Sequence, residues 1–335
     1  MDAPGNDHAL RSGMMDRTDA VPVATAEAER GEMAISVEDV RKSYGSIRAV
    51  DGLSFEVRRG EIFALLGPNG AGKTTMVEIL EGYRRPDAGT VRVLGFDPVR
   101  HGRDMREQIG LMLQQTALYE RIKVGEAVDL FCSYYRRPAD PAELIRLVGL
   151  EHQIGSFFGN LSGGQKQRLS LALALAGNPQ VAFLDEPTAA MDPQARLQTW
   201  EIIDRLRQQR VTVLLTTHYM EEAQRLADHV AIIDHGKLVA FGTPAELMSG
   251  ASAEVVTFTV TPPIEDGTLH TLPGVTSARS ARAGEHLLTT SNALDTIEAL
   301  AAWRHRTGTE ISDLRVTGAT LEDVFLQLTG EAVRD

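Results

Sequence analysis

The sequence is poor in cysteine and in aromatic residues. Cys132 is the single cysteine among 335 residues, so the chain can form neither an internal disulfide nor a cysteine metal cage. A reducing compartment, the cytosol, is the expected location. Phenylalanine, tyrosine and tryptophan together supply 5% of the residues, which argues against a nucleic-acid platform that stacks bases on aromatic rings.

Long apolar runs and excess positive charge are also missing. No apolar run approaches the ~20 residues that a membrane-spanning helix needs, and the acidic N-terminus lacks the apolar stretch of a secretory signal. The formal net charge is −12, with 34 basic and 46 acidic residues. This charge argues against nucleic acid or an anionic lipid surface as an electrostatic partner.

Periodicity predicts one large domain followed by a small one. Residues 1–34 are small and polar and predict a disordered acidic tail. Over 35–248, buried strands alternate with helices, which is typical of an α/β domain with a mostly parallel sheet. This domain would begin with an antiparallel β subdomain and contain a helical subdomain at about 116–175. "SGASA", residues 249–253, is a predicted linker, and 254–335 predict a small α+β domain.

The stretch "GPNGAGKTT" carries the pattern Gly-x-x-x-x-Gly-Lys-Thr between a predicted strand and a predicted helix, the context that this phosphate-binding pattern requires. Backbone N–H groups of such a loop surround the phosphates, Lys73 reaches the β and γ oxygens, and Thr74 binds Mg²⁺. The alternatives are a chance glycine-rich turn and a Rossmann dinucleotide site, which would not need the Lys-Thr pair. The predicted loop residues are Gly67, Pro68, Asn69, Gly70, Ala71, Gly72, Lys73, Thr74 and Thr75.

Two buried strand patterns end in polar residues. "VAFLDE" ends in Asp185, which suits the Mg²⁺ shell, and Glu186, which suits a general base for the attacking water. "VLLTTH" ends in His218, which could hydrogen-bond a γ-phosphate. Each alone would be explained by a polar loop or a solvated histidine. Their expected common sheet edge with Lys73 favours a catalytic site of Lys73, Glu186 and His218.

A second candidate anion site lies in "NLSGGQKQR", where a serine and two glycines precede a helix. Taken with the other motifs and their spacing, residues 35–247 resemble the ATP-binding subunits of ABC transporters, whose signature is the "LSGGQ" found here at 161–165. The resemblance implies that two subunits face head to tail and that each signature binds the γ-phosphate held by the partner's loop. The signature residues are Ser162, Gly163, Gly164 and Gln165.

The resemblance implies three further roles. Tyr44 in "KSYG" matches the aromatic residue that stacks on adenine. Gln114, distinguished from its neighbour Gln115 by counting from Ile109, matches the glutamine that contacts Mg²⁺ and reports to the membrane partner. Asp192 in "AAMDPQAR" matches the acid that crosses the dimer interface, although Ala-Met precedes it where Gly-Leu or Ala-Leu is usual.

The segments "ILEGYRRPDAGTV" and "LEDVFLQLTGE" resemble the branch that exports drugs, antibiotics and lipidic small molecules through a separate permease chain. The resemblance therefore implies an ATPase with ATP and Mg²⁺ as cofactors. It would work as a homodimer, or as a heterodimer with a similar ATPase, held by a permease at the cytoplasmic face of the cell membrane. No nucleic-acid partner is expected.

Three alternatives stay open. An importer ATPase would share the same core, and the exporter-like tail argues against it. A soluble ABC ATPase acting on ribosomes or DNA usually carries two cassettes in one chain, long coiled coils or zinc-binding cysteines, none of which this sequence contains. A degenerate cassette that serves only as a scaffold would not need Lys73, Glu186 and His218.

Overall fold

A computed structural model describes residues 33–114, 117–250, 254–261, 266–282 and 284–330. Most of the predicted N-terminal tail, the predicted linker residues 251–253, and Gln115 lie outside these ranges. The first strand begins at Met33, so the last two residues assigned to the tail belong to a strand instead.

Strands and helices alternate along most of the chain. The strands are β1 (Met33–Tyr44), β2 (Ile47–Arg58), β3 (Ile62–Leu66), β4 (Ala88–Val93), β5 (Ile109–Met112), β6 (Val181–Asp185), β7 (Thr212–Thr216), β8 (His229–Asp234), β9 (Lys237–Gly242), β10 (Glu254–Thr261), β11 (Val275–Arg282), β12 (Glu285–Thr290) and β13 (Glu310–Gly318). The α-helices are α1 (Lys73–Leu80), α2 (Gly102–Arg106), α3 (Val124–Cys132), α4 (Pro141–Leu147), α5 (Gly163–Ala174), α6 (Pro193–Gln208), α7 (Met220–Leu226), α8 (Pro244–Gly250), α9 (Ala293–Thr307) and α10 (Leu321–Thr329).

The central sheet has the strand order β5-β6-β7-β3-β8-β9. Its strands run parallel except for β9, which pairs antiparallel with β8. All five residues of β3 are buried, because other elements pack on both faces of the sheet and alternate side chains enter different cores. Ile62 and Ala64 belong to one hydrophobic cluster, whereas Phe63 and Leu65 belong to the other. The predicted α/β class with a mostly parallel sheet is confirmed.

A second sheet has the order β2-β1-β4 and is antiparallel. The predicted pairing of β1 with β2 is confirmed, with Val37 opposite Phe55. Strand β4 is absent from the sequence-based prediction, although the alternation of Val91 and Val93 could have indicated it. Both valines are buried in the same cluster as Phe63, so this sheet packs against one face of the central sheet.

Helix α8 follows a capping box and extends into the predicted linker. Thr243 and Glu246 form a capping box in which the Thr243 backbone N–H donates to Glu246 Oε2 at 2.8 Å and the Glu246 N–H donates to Thr243 Oγ1 at 3.2 Å. The helix continues to Gly250. The first two residues of the predicted linker are therefore helical.

The C-terminal sheet has the order β11-β12-β10-β13 and is antiparallel. Helix α9 packs on it through Leu300 and Trp303, which share a cluster with Val256 and Phe258 of β10. The sequence predicted a small α+β domain over these residues. It gave no sign of β11, "VTSARSAR", because that strand lies at the sheet edge and has little apolar alternation.

Helix α10 packs against the nucleotide-binding part of the chain. Its buried residues Leu321, Val324 and Phe325 belong to the hydrophobic cluster that contains Met220 and Leu226 of α7. The Leu321 backbone N–H donates to the Gln224 side chain at 3.4 Å. The end of the C-terminal region is thus anchored on the helix that follows β7. Among the residues described, no helix has the length and apolarity needed to span a membrane.

The anchoring of α10 can be tested with two substitutions on the same helix. Phe325 is completely buried, whereas Leu328 is 42% exposed. Phe325→Ala leaves a cavity and should lower the free energy of unfolding by about 3 kcal/mol, whereas Leu328→Ala should change it by about 0.5 kcal/mol or less. Urea denaturation measures both values. Equal, small effects would show that α10 does not pack as described.

Candidate nucleotide site

The loop between β3 and α1 is a backbone cradle that only glycine can form. A Cβ on Gly67 would lie 2.3 Å from the carbonyl oxygen of Ile233, and one on Gly72 would lie 2.0 Å from that of Ala49. Gly72 also has φ +105°, a left-handed conformation that favours glycine. Side chains are thus excluded from both ends of the loop. Its N–H groups and the start of α1 can approach phosphates closely.

Lys73 is held by its own loop. Its Nζ donates hydrogen bonds to the carbonyl oxygens of Gly67 at 2.6 Å and Pro68 at 3.1 Å. Burial lowers the pKa of Lys73, while the nearby carboxylates of Glu186 and Asp185 act in the opposite direction. The ammonium group is therefore partly desolvated and lies beside the cradle. Phosphate oxygens could replace the two carbonyl oxygens as acceptors of its hydrogen bonds.

The ends of β6 and β7 meet beside this cradle, because both strands lie near β3 in the sheet. Asp185 pairs with Thr216 in the parallel ladder, and Thr216 Oγ1 donates a hydrogen bond to Asp185 Oδ1. The sequence analysis did not identify Thr216. The pattern that could have indicated it is a hydroxyl residue at the end of a buried strand, two positions before a candidate histidine.

Glu186 is held by side chains from two separate loops. Its Oε1 lies 2.5 Å from Nε2 of His218, and its Oε2 accepts a hydrogen bond from Nε2 of Gln114 at 2.8 Å. The structure thus brings three sequence-predicted residues together. The contact between Gln114 and Glu186 was not predicted, since the resemblance placed that glutamine at Mg²⁺.

The backbone at Glu186 is strained and fixed on two sides. Its φ is +49°, a left-handed conformation that costs on the order of 1 kcal/mol in a residue with a side chain. Its N–H donates to the carbonyl oxygen of Thr216 at 3.0 Å, and its carbonyl accepts from Nε2 of Gln167 at 3.3 Å. Gln167, in α5, is a further residue that the sequence analysis missed.

Tyr44 lies at the end of β1 with its ring accessible. The residue is 40% exposed, and the charged groups of Lys42 and Arg84 lie 5.8 Å and 5.4 Å from the ring centroid. An exposed ring can stack on a planar base. The two cations are close enough for cation–π contact, which leaves positive charge next to that ring.

The signature residues begin α5. Ser162 Oγ accepts a hydrogen bond from the Gln165 N–H at 3.3 Å, and Gln165 Oε1 accepts one from the Ser162 N–H at 2.9 Å. This is a capping box, so the two side chains are engaged locally. Within the described part of the chain, no hydrogen bond or ion pair joins residues 162–165 to residues 67–75.

Asp192 caps α6 and lies close to the signature. Its Oδ1 accepts a hydrogen bond from the Ala195 N–H at 2.9 Å. A Cβ placed on Gly164 would lie 3.3 Å from the Ala195 Cβ. Ala190, in the segment that departs from the family pattern, has φ +56°. The two segments that the resemblance places at a dimer interface are thus neighbours within one chain.

Comparisons with known proteins agree with this geometry. The ABC transporter family profile matches residues 50–189. A Nod factor export ATP-binding protein I from Ralstonia nicotianae is 40% identical over 312 residues, which cover 90% of this chain and 95% of that protein. The daunorubicin resistance ATP-binding protein DrrA3 of Streptomyces coeruleorubidus is 37% identical over 90% of this chain and 97% of its own length. This chain belongs to the ABC transporter ATP-binding proteins.

Solved structures match a smaller share of this chain. The ATP-binding cassette MJ0796, in a dimeric post-hydrolysis state bound to ADP and Pi, has a TM-score of 0.57 and 26% identity and covers 62% of this chain and 98% of its own. The CbiO1 protein of Clostridium perfringens has a TM-score of 0.60 and 26% identity, with 65% and 91% covered. The fold and the ATPase activity follow from this membership. Cassettes of this family work as dimers with separate membrane permeases.

Glu81, at the end of α1, is a buried carboxyl group behind the site of this ABC ATPase. It is 4% exposed. Burial raises its pKa to about 8, and the carboxylates of Asp185 and Glu78 add to the effect. The native protein therefore binds a proton at Glu81 over a pH range in which the unfolded chain has already lost it.

The difference in proton binding at Glu81 between the native and the unfolded protein predicts that stability falls as the pH rises. Because the folded-state pKa is raised, the contribution of Glu81 is present below its ordinary pKa and is lost as the pH passes through about 8. Glu81→Gln keeps a neutral side chain at every pH. Between pH 5 and pH 9, its free energy of unfolding should fall by about 4 kcal/mol less than that of the wild type, measured by urea denaturation.

The matched control is Glu56→Gln, which replaces an exposed carboxylate of β2. It should show the pH dependence of the wild type. If Glu81→Gln and the wild type lose stability in parallel between pH 5 and pH 9, Glu81 is not protonated in the native protein.

Proposed function

We propose that this ABC ATPase powers the export of a drug, an antibiotic or a lipidic small molecule through a separate membrane permease. The observation that carries the proposal is the similarity over 90% of the chain to a Nod factor export protein and a daunorubicin resistance protein. These two alignments cover a larger share of the chain than the 62–65% that the solved cassettes match. They therefore include part of the C-terminal region as well as the catalytic core.

The working unit would be a dimer of this chain, or of this chain with a similar ATPase, held by the permease at the cytoplasmic face of the cell membrane. The segment after Gln114 suits permease docking because its neighbours expose apolar side chains. Tyr119 is 73% exposed, and Ile154 and Phe157 are 53% and 41% exposed. The two stretches are joined by backbone hydrogen bonds, including Phe158 N–H to the carbonyl of Ile122 at 2.9 Å.

Oxygen ligands suited to Mg²⁺ lie beside the glycine cradle. Thr74 lies in the first turn of α1 and Asp185 ends β6. Mg²⁺ in phosphate sites commonly uses one or two protein oxygens together with the phosphates. We propose that these two residues, with Gln114, hold Mg²⁺. When bound, the ion would neutralise charge on the β and γ oxygens of ATP.

The chain's own groups would perform the remaining steps. Lys73 would exchange the carbonyls of Gly67 and Pro68 for phosphate oxygens. Glu186 would accept the proton of the attacking water once its Oε2 is released by Gln114, and His218 would orient the carboxylate or the γ-phosphate. Release of Gln114 would thus make the base available. This links hydrolysis to the loop that we propose docks on the permease.

The role of Glu186 is tested by Glu186→Gln. The amide cannot accept the proton of water, so the turnover number should fall by about 10² or more, whereas the affinity for ATP should stay within about twofold of the wild type. Gel filtration with ATP and Mg²⁺ should then show an accumulated dimer. Hydrolysis at the wild-type rate would move the base elsewhere.

Lys73→Ala is the contrasting variant. It removes the cation that reaches the β and γ oxygens, so both ATP binding and turnover should be lost. A turnover number equal to that of the wild type would contradict the assignment of the cradle.

The proposed exchange of signatures between chains is tested by mixing two variants in the Glu186→Gln background. One carries Lys73→Ala, so that its cradle is inactive and its signature intact. The other carries Ser162→Arg, which blocks the signature with a bulky side chain. Neither alone should form a closed dimer, whereas the mixture should form a heterodimer with one complete site.

Two readouts are needed because closure of the dimer could require both sites. Gel filtration with ATP and Mg²⁺ reports closure, and ATP retention per chain reports the single complete site. If mixing restores neither, the signature does not act on the partner's nucleotide.

A further inference from the structure

A buried carboxyl group joins three segments behind the catalytic edge. Glu222, in α7, is 0% exposed. Its Oε1 accepts a hydrogen bond from Thr188 Oγ1 at 2.9 Å and another from Trp200 Nε1 at 2.8 Å. Two buried donors from different segments thus meet on one oxygen.

Each of these segments carries a residue of the proposed site. Thr188 lies two positions after Glu186 and four before Asp192. Trp200 lies on α6, the helix that Asp192 caps. Glu222 lies four positions after His218. The two hydrogen bonds therefore set the spacing between the loop that carries the proposed base and the loop that carries its histidine partner.

A second contact between the same elements supports this spacing. The guanidinium of Arg196, on α6, lies 3.9 Å from the ring centroid of Tyr219, the residue that directly follows His218. A cation this close to an aromatic face is attracted to it. Helix α6 thus contacts the segment that carries His218 at two points. Arg196 contacts Tyr219, and Trp200 donates its hydrogen bond to Glu222.

The contact of Glu222 with Thr188 and Trp200, here called the joint, requires an oxygen that accepts hydrogen bonds and does not require a negative charge. Burial raises the pKa of Glu222, which favours the neutral acid, and both charge states keep an oxygen that can accept hydrogen bonds. Glutamine offers the same acceptor. Alanine would leave the Thr188 hydroxyl and the Trp200 N–H buried without their partner.

We propose that Glu222 is a positioning residue for ATP hydrolysis, which acts by holding Glu186 and His218 at the separation that the attacking water needs. This inference rests on the proposed roles of Glu186 and His218. The nucleotide cradle at Gly67–Thr75 makes none of these contacts. The joint should therefore affect the turnover number and leave ATP affinity unchanged.

The test uses Thr188→Val, which removes one hydroxyl of the joint and keeps the side-chain shape. Displacement of reacting groups by about 1 Å can cost up to 10² in rate, and we expect the turnover number to fall by about tenfold with the KM for ATP within about twofold of the wild type. The matched control is Thr212→Val. Thr212 is 1% exposed and accepts a hydrogen bond from the Gly60 N–H at 2.9 Å, at the opposite end of β7.

Two substitutions of Glu222 separate its acceptor role from packing. Glu222→Gln should keep the turnover number within about threefold of the wild type, and Glu222→Ala should lower it at least as far as Thr188→Val does. If Glu222→Ala does not fold, Thr188→Val and Glu222→Gln decide the question. Combining Thr188→Val with Glu222→Gln should lower the rate no further than Thr188→Val alone.

Three results would overturn the inference. The first is a turnover number for Thr188→Val within twofold of the wild type. The second is an equal loss in Thr212→Val, which would indicate general destabilisation. The third is a Glu222→Gln enzyme that has lost about tenfold or more. Failure of the proposed function is distinguishable, since in that case Glu186→Gln would still hydrolyse ATP whatever the Thr188 variant does.

Discussion

The parallel pairing of β3, β6 and β7 is the constraint on which the site depends. In this register Thr216 lies opposite both Leu65 and Asp185, so the carboxyl ends of three strands meet at one edge of the sheet. The glycine cradle, Glu186 and the loop that carries His218 each follow one of these strands directly, and Asp185 ends β6. Open α/β sheets bind ligands at this edge because backbone groups and loops are free there. The apolar runs that bury the strands therefore also place the proposed catalytic groups.

The groups at this edge form hydrogen bonds and ion pairs with one another. Lys73 donates to the carbonyls of its own loop, and the carboxylate of Glu186 is bound by His218 and Gln114. A bound phosphate would compete for Lys73, and movement of the Gln114 loop would free one oxygen of Glu186. In the proposed mechanism, hydrolysis would depend on changes in two loops, one at the nucleotide and one on the side proposed for the permease.

The sequence could predict those site residues that follow buried strands, because an apolar run ending in a charged or polar side chain is a local pattern. Asp185, Glu186 and His218 were found in this way and Lys73 by its glycine-rich loop pattern, and the structure places all four at one edge. Thr216, Gln167 and Glu222 escaped prediction because their partners lie 19 to 34 positions away in the sequence. Strand β11 escaped because an exposed edge strand needs little apolar alternation. A local sequence pattern therefore indicates the candidate site residues, whereas contacts between distant segments determine which other residues hold them in place.

The central claim is that one nucleotide site is built from two chains. It is tested most directly by a structure of the full-length Glu186→Gln protein with ATP and Mg²⁺. The measurement is the distance from Ser162 Oγ to the γ-phosphate of each bound ATP. The account predicts hydrogen-bond distance to the ATP whose phosphates contact Lys73 of the other chain. A Ser162 that binds the ATP held by Lys73 of its own chain, or that binds no nucleotide in a closed dimer, would contradict it.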